Sequence, residues 1–152
     1  MKKRRRFLED ERGQVLYQTA LGLMTLLVFL GLVIDGGLML ANYRRAQLTA
    51  DTAAQAASHA VSIEVFWASN SVVLASEAAE DRAEWIIDQN GIATDGRRLL
   101  ENVQVTCGAN WVRVTGRAQL PTFFMRMFGI PEVHVPVRSV AYPAYGIEHE
   151  WE

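Results

Sequence analysis

Residues 10–37 read DERGQVLYQTALGLMTLLVFLGLVIDGG, and the architecture of the chain turns on what they are. A charged block ends at Gly13, and Val15 to Ile34 then runs for twenty residues without a formal charge. At about 1.5 Å per residue, a helix of that length spans about 30 Å, the hydrocarbon thickness of a bilayer. A cleavable secretory signal has a shorter apolar core followed by a small-x-small site. Here the core is longer, and it ends in Asp35-Gly36-Gly37. A buried helix of a soluble protein is rarely apolar on every face for so long. The stretch therefore predicts a membrane-spanning helix.

Working outward, the first thirteen residues carry Lys2, Lys3, Arg4, Arg5, Arg6 and Arg12 against Glu9, Asp10 and Glu11, an excess of +3 that the overall charge of -2 conceals. The next cations, Arg44 and Arg45, come some ten residues after the apolar run. The heavier basic flank stays inside. The N-terminus is expected in the cytoplasm and everything after about residue 37 outside the cytoplasmic (inner) membrane. Directly before a membrane-length segment, the basic run reads as a cytoplasmic anchor and not as a nucleic-acid patch. Two polar residues interrupt the pattern. Gln18 falls near the inner interface, and Asp35 near the outer one, where a carboxylate costs far less than at a helix centre. Neither asks for a catalytic role. Gly22, Gly31, Gly36 and Gly37 permit close approach of a neighbour, without a strict GxxxG pair.

Beyond the apolar run, residues 38–62 (LMLANYRRAQLTADTAAQAASHAVS) hold no Pro or Gly, and Ala50, Ala53, Ala54, Ala57 and Ala60 recur at three- and four-residue spacing. That narrow small-residue stripe lets another helix or a sheet approach closely. One continuous helix over about 14–62, roughly 70 Å long, is the simplest object. Asn70-Ser71 supplies a plausible N-cap for a second helix over 72–91, with Val73, Ala79, Ala83, Ile86 and Ile87 on its apolar side and Glu77, Glu80, Asp81 and Arg82 solvated. From residue 102 the period becomes two: Val103 and Val105, then Val112 and Val114 after a Gly108-Ala109 turn, then Val133, Val135 and Val137. These predict three short antiparallel strands with one buried face. PTFFMRMFGI, between the second and third, predicts a short helical or irregular segment. The expected class is α+β, organised as a leader (1–13), a transmembrane helix (14–37), an Ala-rich continuation (38–62) and an extracytoplasmic head (63–152) whose tail frays.

Chemistry has little support. His59, His134 and His149 have no i, i+4 partner of the kind a zinc site uses. GxGxxG, P-loop and GxSxG motifs are missing, and the carboxylates around Glu77, Glu80, Asp81 and Glu84 read as a solvated helix face. Trp67, Trp85, Trp111 and Trp151 read as core or interface residues. The lone Cys107 excludes an intramolecular disulfide and reads as a small strand residue. No catalytic residue, metal or cofactor is expected.

The chain resembles the TadE/TadG-like proteins of tight-adherence (Flp-type) pilus systems, a branch of the type IV pili. The resemblance rests on Arg12-Gly13-Gln14 before the apolar run, Asp35-Gly36-Gly37 at its end, Arg44-Arg45-Ala46-Gln47-Leu48, and Ala50-Asp51 leading the Ala-rich helix. More loosely, it extends to the valine-rich strands around FFMRMF. It implies a non-catalytic component that acts in pilus assembly or as a minor subunit for adhesion. The implied partners are the lipid bilayer, other pilin-like subunits and the assembly machinery through the apolar helix, and a prepilin peptidase. By analogy with type IV pilins, Gly13 and Gln14 flank a candidate cleavage point, and Gln18 stands where those pilins carry a glutamate at mature position 5. A glutamine cannot offer negative charge to a neighbour's new N-terminal ammonium. That departure, and the 139 residues left after such a cut, point away from a bulk major subunit, since major Flp-type pilins are much smaller. An alternative reading is an unprocessed single-pass protein whose head is a binding or sensor module with a ligand cleft.

Overall fold

The computed structural model describes residues 11–93 and 96–143. The basic block Lys2–Arg6 and the tail with His149 and Trp151 lie outside the described residues. Helix α1 runs unbroken over Glu11–Ser58, 48 residues, or about 70 Å. It is followed by α2 (Ile63–Ser69), α3 (Ser76–Asn90), β1 (Leu100–Cys107), β2 (Val112–Pro121), a single 3-10 turn (Met125–Phe128) and β3 (Glu132–Ala141). The class is α+β, as the change of period predicts.

The three strands form one antiparallel sheet in the order β1-β2-β3. Its long β2–β3 ladder pairs Val112 with Ala141 at one end and Pro121 with Glu132 at the other. Strand β1 bulges between Glu101 and Gln104, where Asn102 takes the left-handed φ of 49°. At the β1–β2 turn the Gly108 N–H donates to the Trp111 carbonyl at 2.8 Å. A Cβ on Gly108 would stand 2.4 Å from the Trp111 indole nitrogen, so glycine is what admits that ring.

One face of the sheet is buried through Val112, Val114, Ala118, Leu120, Val137 and Ala141. It packs on the distal half of α1, whose Ala46, Ala50, Ala53, Ala54 and Ala57 are all fully buried. A methyl side chain buries little area, but it lets the helix backbone approach the sheet and α3 together. From α3, Ala79, Ala83 and Ile87 complete the core, and Glu77, Glu80, Asp81 and Arg82 are exposed as expected.

Two boundaries differ from the sequence expectation. Helix α1 stops at Ser58, not at residue 62, because Ala60 and Val61 turn back and Val61 bridges Leu74. Between them lies α2, a helix the spacing did not predict: Ser62 is its N-cap, and Asn70, with φ 50°, is its C-cap. Asn70 therefore ends a helix and does not begin one. Residues 71–75 have no regular structure apart from the bridge at Leu74, and α3 starts only at Ser76. Val73 thus lies off the helix, and Leu74 takes the buried place.

Candidate functional site

The site of interest is the junction between the apolar half of α1 and the head. From Val15 to Leu30 every residue of α1 is exposed, and the first buried one is Gly31. Within this stretch the hydroxyls of Thr19 and Thr25 donate to the carbonyls of Val15 and Leu21, at 2.8 and 2.9 Å. Back-bonded in this way, they present little unsatisfied polarity to an apolar solvent. This helix is the one among the described residues long and apolar enough to cross a membrane, which is consistent with membrane anchoring.

At the end of the apolar run, Asp35 is completely buried. Its Oδ1 accepts from the backbone N–H of Phe123 at 2.8 Å and of Phe124 at 3.1 Å, and its Oδ2 accepts from Met125 N–H at 2.6 Å. The carboxylate therefore fills the open N–H groups at the start of the 3-10 turn, the place where a backbone concavity favours an anion. One turn earlier, Gly31 receives the Phe124 ring. A Cβ there would lie 2.7 Å from two ring carbons. Of the four glycines noted in the sequence, Gly22, Gly36 and Gly37 have open space around them, and only Gly31 is used for close approach. The neighbour it admits is an aromatic loop and not another helix.

Higher on α1, Gln47 joins the helix to the sheet edge. Its Nε2 donates to Asp51 Oδ1 at 3.0 Å and to the Arg138 carbonyl of β3 at 3.1 Å, so both amide hydrogens have acceptors. Asp51 holds the amide in place across one helical turn. Thr49 bonds the Arg45 carbonyl at 3.0 Å and faces the Asn90 carbonyl at the end of α3. Arg45 lines a cavity of about 170 Å³ with Asn42, Arg97, Arg98, Gln119 and Glu132. That is smaller than the roughly 300 Å³ at which small-molecule pockets begin. Leu48 is exposed.

Gly13, Gln14 and Gln18 lie on the exposed surface of α1, far along the helix from these contacts. Of the residues singled out in the sequence, the fold brings Asp35, Gln47 and Asp51 into the helix–head seam and leaves Gly13, Gln14, Gln18, Gly36, Gly37 and Leu48 outside it. The partners of Asp35 lie 88 to 90 residues away, so no local pattern announced them. The one sequence signal was a carboxylate four residues after a glycine at the end of an apolar helix.

The remaining candidates are scattered. His59 is exposed, and exposed His134 faces Glu132 at 3.2 Å. Trp67 and Trp85 are exposed. Trp111 is half-buried, with the Arg113 guanidinium 4.7 Å from its ring centre. Partial burial, and then the negative charge of Glu80, push the Cys107 thiol up from its ordinary value, so it is held as the neutral thiol at neutral pH. Among the described residues no three His, Cys, Asp or Glu side chains converge as a metal site would require.

A membrane-length helix that continues into the core of a small head defines an α+β protein with a candidate membrane span. Within it, residues 13–69 match the family of putative Flp pilus-assembly TadE/G-like proteins. The stretch from Gly13 through the end of α2 is a TadE/G-like region. No curated protein and no solved structure matches the chain.

Proposed function

We propose that the chain is a non-catalytic, membrane-anchored component of a Tad/Flp-type pilus, acting in assembly or as a minor subunit for adhesion. Its N-terminus faces the cytoplasm and its head lies outside. The observation that carries this reading is the continuity of α1, one helix of 48 residues whose first half is exposed and apolar and whose second half buries one face in the head. Such a helix can be held by lipid before assembly and by other apolar helices afterwards, without refolding the head. The TadE/G-like match covers both halves and supports the pilus context.

Processing at Gly13 separates two routes. Cut between Gly13 and Gln14, the helix begins at Gln14 and is released from its basic leader to enter a fibre. Uncut, it stays as the permanent anchor of an assembly factor. Intact-mass and N-terminal analysis of the protein from native membranes, with and without a prepilin peptidase, decides between them. A species beginning at Gln14 that depends on the peptidase supports the subunit route, and full-length chain in both samples eliminates it. Gln18→Glu then tests the position-5 argument, with increased incorporation into filaments expected. Loss of filaments when the chain is deleted tests the pilus role itself. Unchanged piliation and adhesion would favour the single-pass binding module.

A further inference from the structure

Residues 122–131 form a loop closed at its base and apolar at its tip. Thr122 N–H donates to the Pro131 carbonyl at 3.1 Å and its hydroxyl donates to the Ile130 carbonyl. Gly129, with φ 86°, ends the 3-10 turn. The loop's interior is taken up by Phe124, packed edge-on against Phe123 at 5.2 Å and seated on Gly31. The tip faces outward, with Phe123, Met127 and Phe128 exposed to 71%, 82% and 74%. A soluble head would gain nothing by holding three large apolar side chains in water at one spot.

The position of the tip explains them. Gly31 lies three residues inside the apolar run that ends at Ile34, about 5 Å below its end. The Phe124 ring lies against that level of the helix. Elements that lie in a membrane interface bury their apolar face about 5–10 Å into the headgroup–acyl boundary. Asp35 fixes the loop there through three backbone hydrogen bonds. Around Gly31, α1 exposes Leu27, Leu30, Leu32 and Ile34, so the loop tip continues the same apolar surface. Exposed Arg126, between the two methionines of the turn, has the length to reach lipid phosphates from that depth.

We infer that the tip of the 122–131 loop is a second membrane contact, with Phe123, Met127 and Phe128 inserted in the outer leaflet beside α1. The inference rests on α1 spanning the bilayer as proposed above. It implies that the head lies on the membrane in a single orientation. It also implies that leaving the membrane for a fibre exposes the loop and the helix together, so the loop needs a new apolar neighbour at the same step.

The test uses the full chain with Cys107→Ser, in phosphatidylcholine–phosphatidylglycerol vesicles, carrying one environment-sensitive fluorophore at a time on Phe128→Cys, Met127→Cys, Leu27→Cys or Gln104→Cys. Some of the lipids carry a nitroxide on the upper acyl chain. Blue-shifted emission and several-fold stronger nitroxide quenching at 127 and 128 than at 104 are the expected result. Quenching at 27 with 127 and 128 behaving like 104 overturns the loop contact and leaves the anchor intact. No quenching at 27 overturns the anchor and the loop contact with it. Blue-shifted emission at 127 and 128 without lipid quenching means that another protein, such as a second copy of the chain, covers the tip, and it overturns the lipid contact.

Discussion

Between Val15 and Leu30, α1 carries Leu, Val, Met and Phe side chains that stand exposed, whereas between Ala46 and Ser58 it buries Ala, Thr and Ser. The more hydrophobic half is the exposed one. In water this would be backwards, since burial follows apolar area. It makes sense under the anchoring proposed above, which gives the two halves different solvents. In that reading the proximal half needs large side chains of no particular shape, because lipid conforms to them. The distal half needs small side chains at fixed places, because a sheet and a second helix must pack against it at the density of a solid. Gly31 and Asp35 are where the two regimes meet. One turn of the apolar helix there behaves like core, buried by a loop from the far end of the chain.

That contrast can be broken in four places. The largest effect is expected from Asp35→Ala, which strips three backbone N–H groups of a charged acceptor. Hydrogen bonds to charged groups are worth roughly 1.5–3 kcal/mol each and are not additive, so a loss of roughly 3–5 kcal/mol is expected. Denaturant unfolding of the chain in nanodiscs, read by tryptophan fluorescence, measures it, and a loss under about 1 kcal/mol would show that the carboxylate does not hold the loop. Next is Ala53→Leu, which forces extra carbons into a fully buried site at a cost of about 2–3 kcal/mol. If that variant unfolds at the same denaturant concentration as the parent, the distal half is not packed as a solid.

Gly31→Leu should come third. It must displace the Phe124 ring at about 1–2 kcal/mol, partly offset by the better helix propensity of Leu. Faster protease cleavage within 122–131 would report the displaced loop. The smallest effect belongs to Leu27→Ala in the exposed half, where head stability should shift by less than about 0.5 kcal/mol, as for other surface changes. A destabilisation as large as that of Ala53→Leu would mean that the proximal half is packed against protein and not solvated by lipid.

Much of this architecture was legible because it rests on local repetition. Twenty uncharged residues identify a membrane-length helix without any partner, and valines at alternate positions identify strands with one buried face. The alanine spacing marked the face of α1 that is buried, even though it could not say what covers it. The short helix α2 escaped notice because seven residues with no buried side chain leave no periodic trace. Asn70 misled because the residue types that begin a helix also tolerate the left-handed conformation that ends one.

The sequence by itself determined the membrane-length apolar helix, the change from helix to sheet and the TadE/G-like character of the N-terminal region, since each is written within a window of a few turns. Only the tertiary structure decided the role of Asp35. A carboxylate at the end of an apolar helix reads as a tolerated polar residue until the chain returns some ninety positions later, at Phe123 to Met125, with three N–H groups that need an acceptor. Nothing local specifies such a contact, because hydrogen bonds between distant segments depend on how the whole sheet docks on the helix. The same docking places the FFMRMF tip, which the sequence marks as apolar, beside the apolar half of α1.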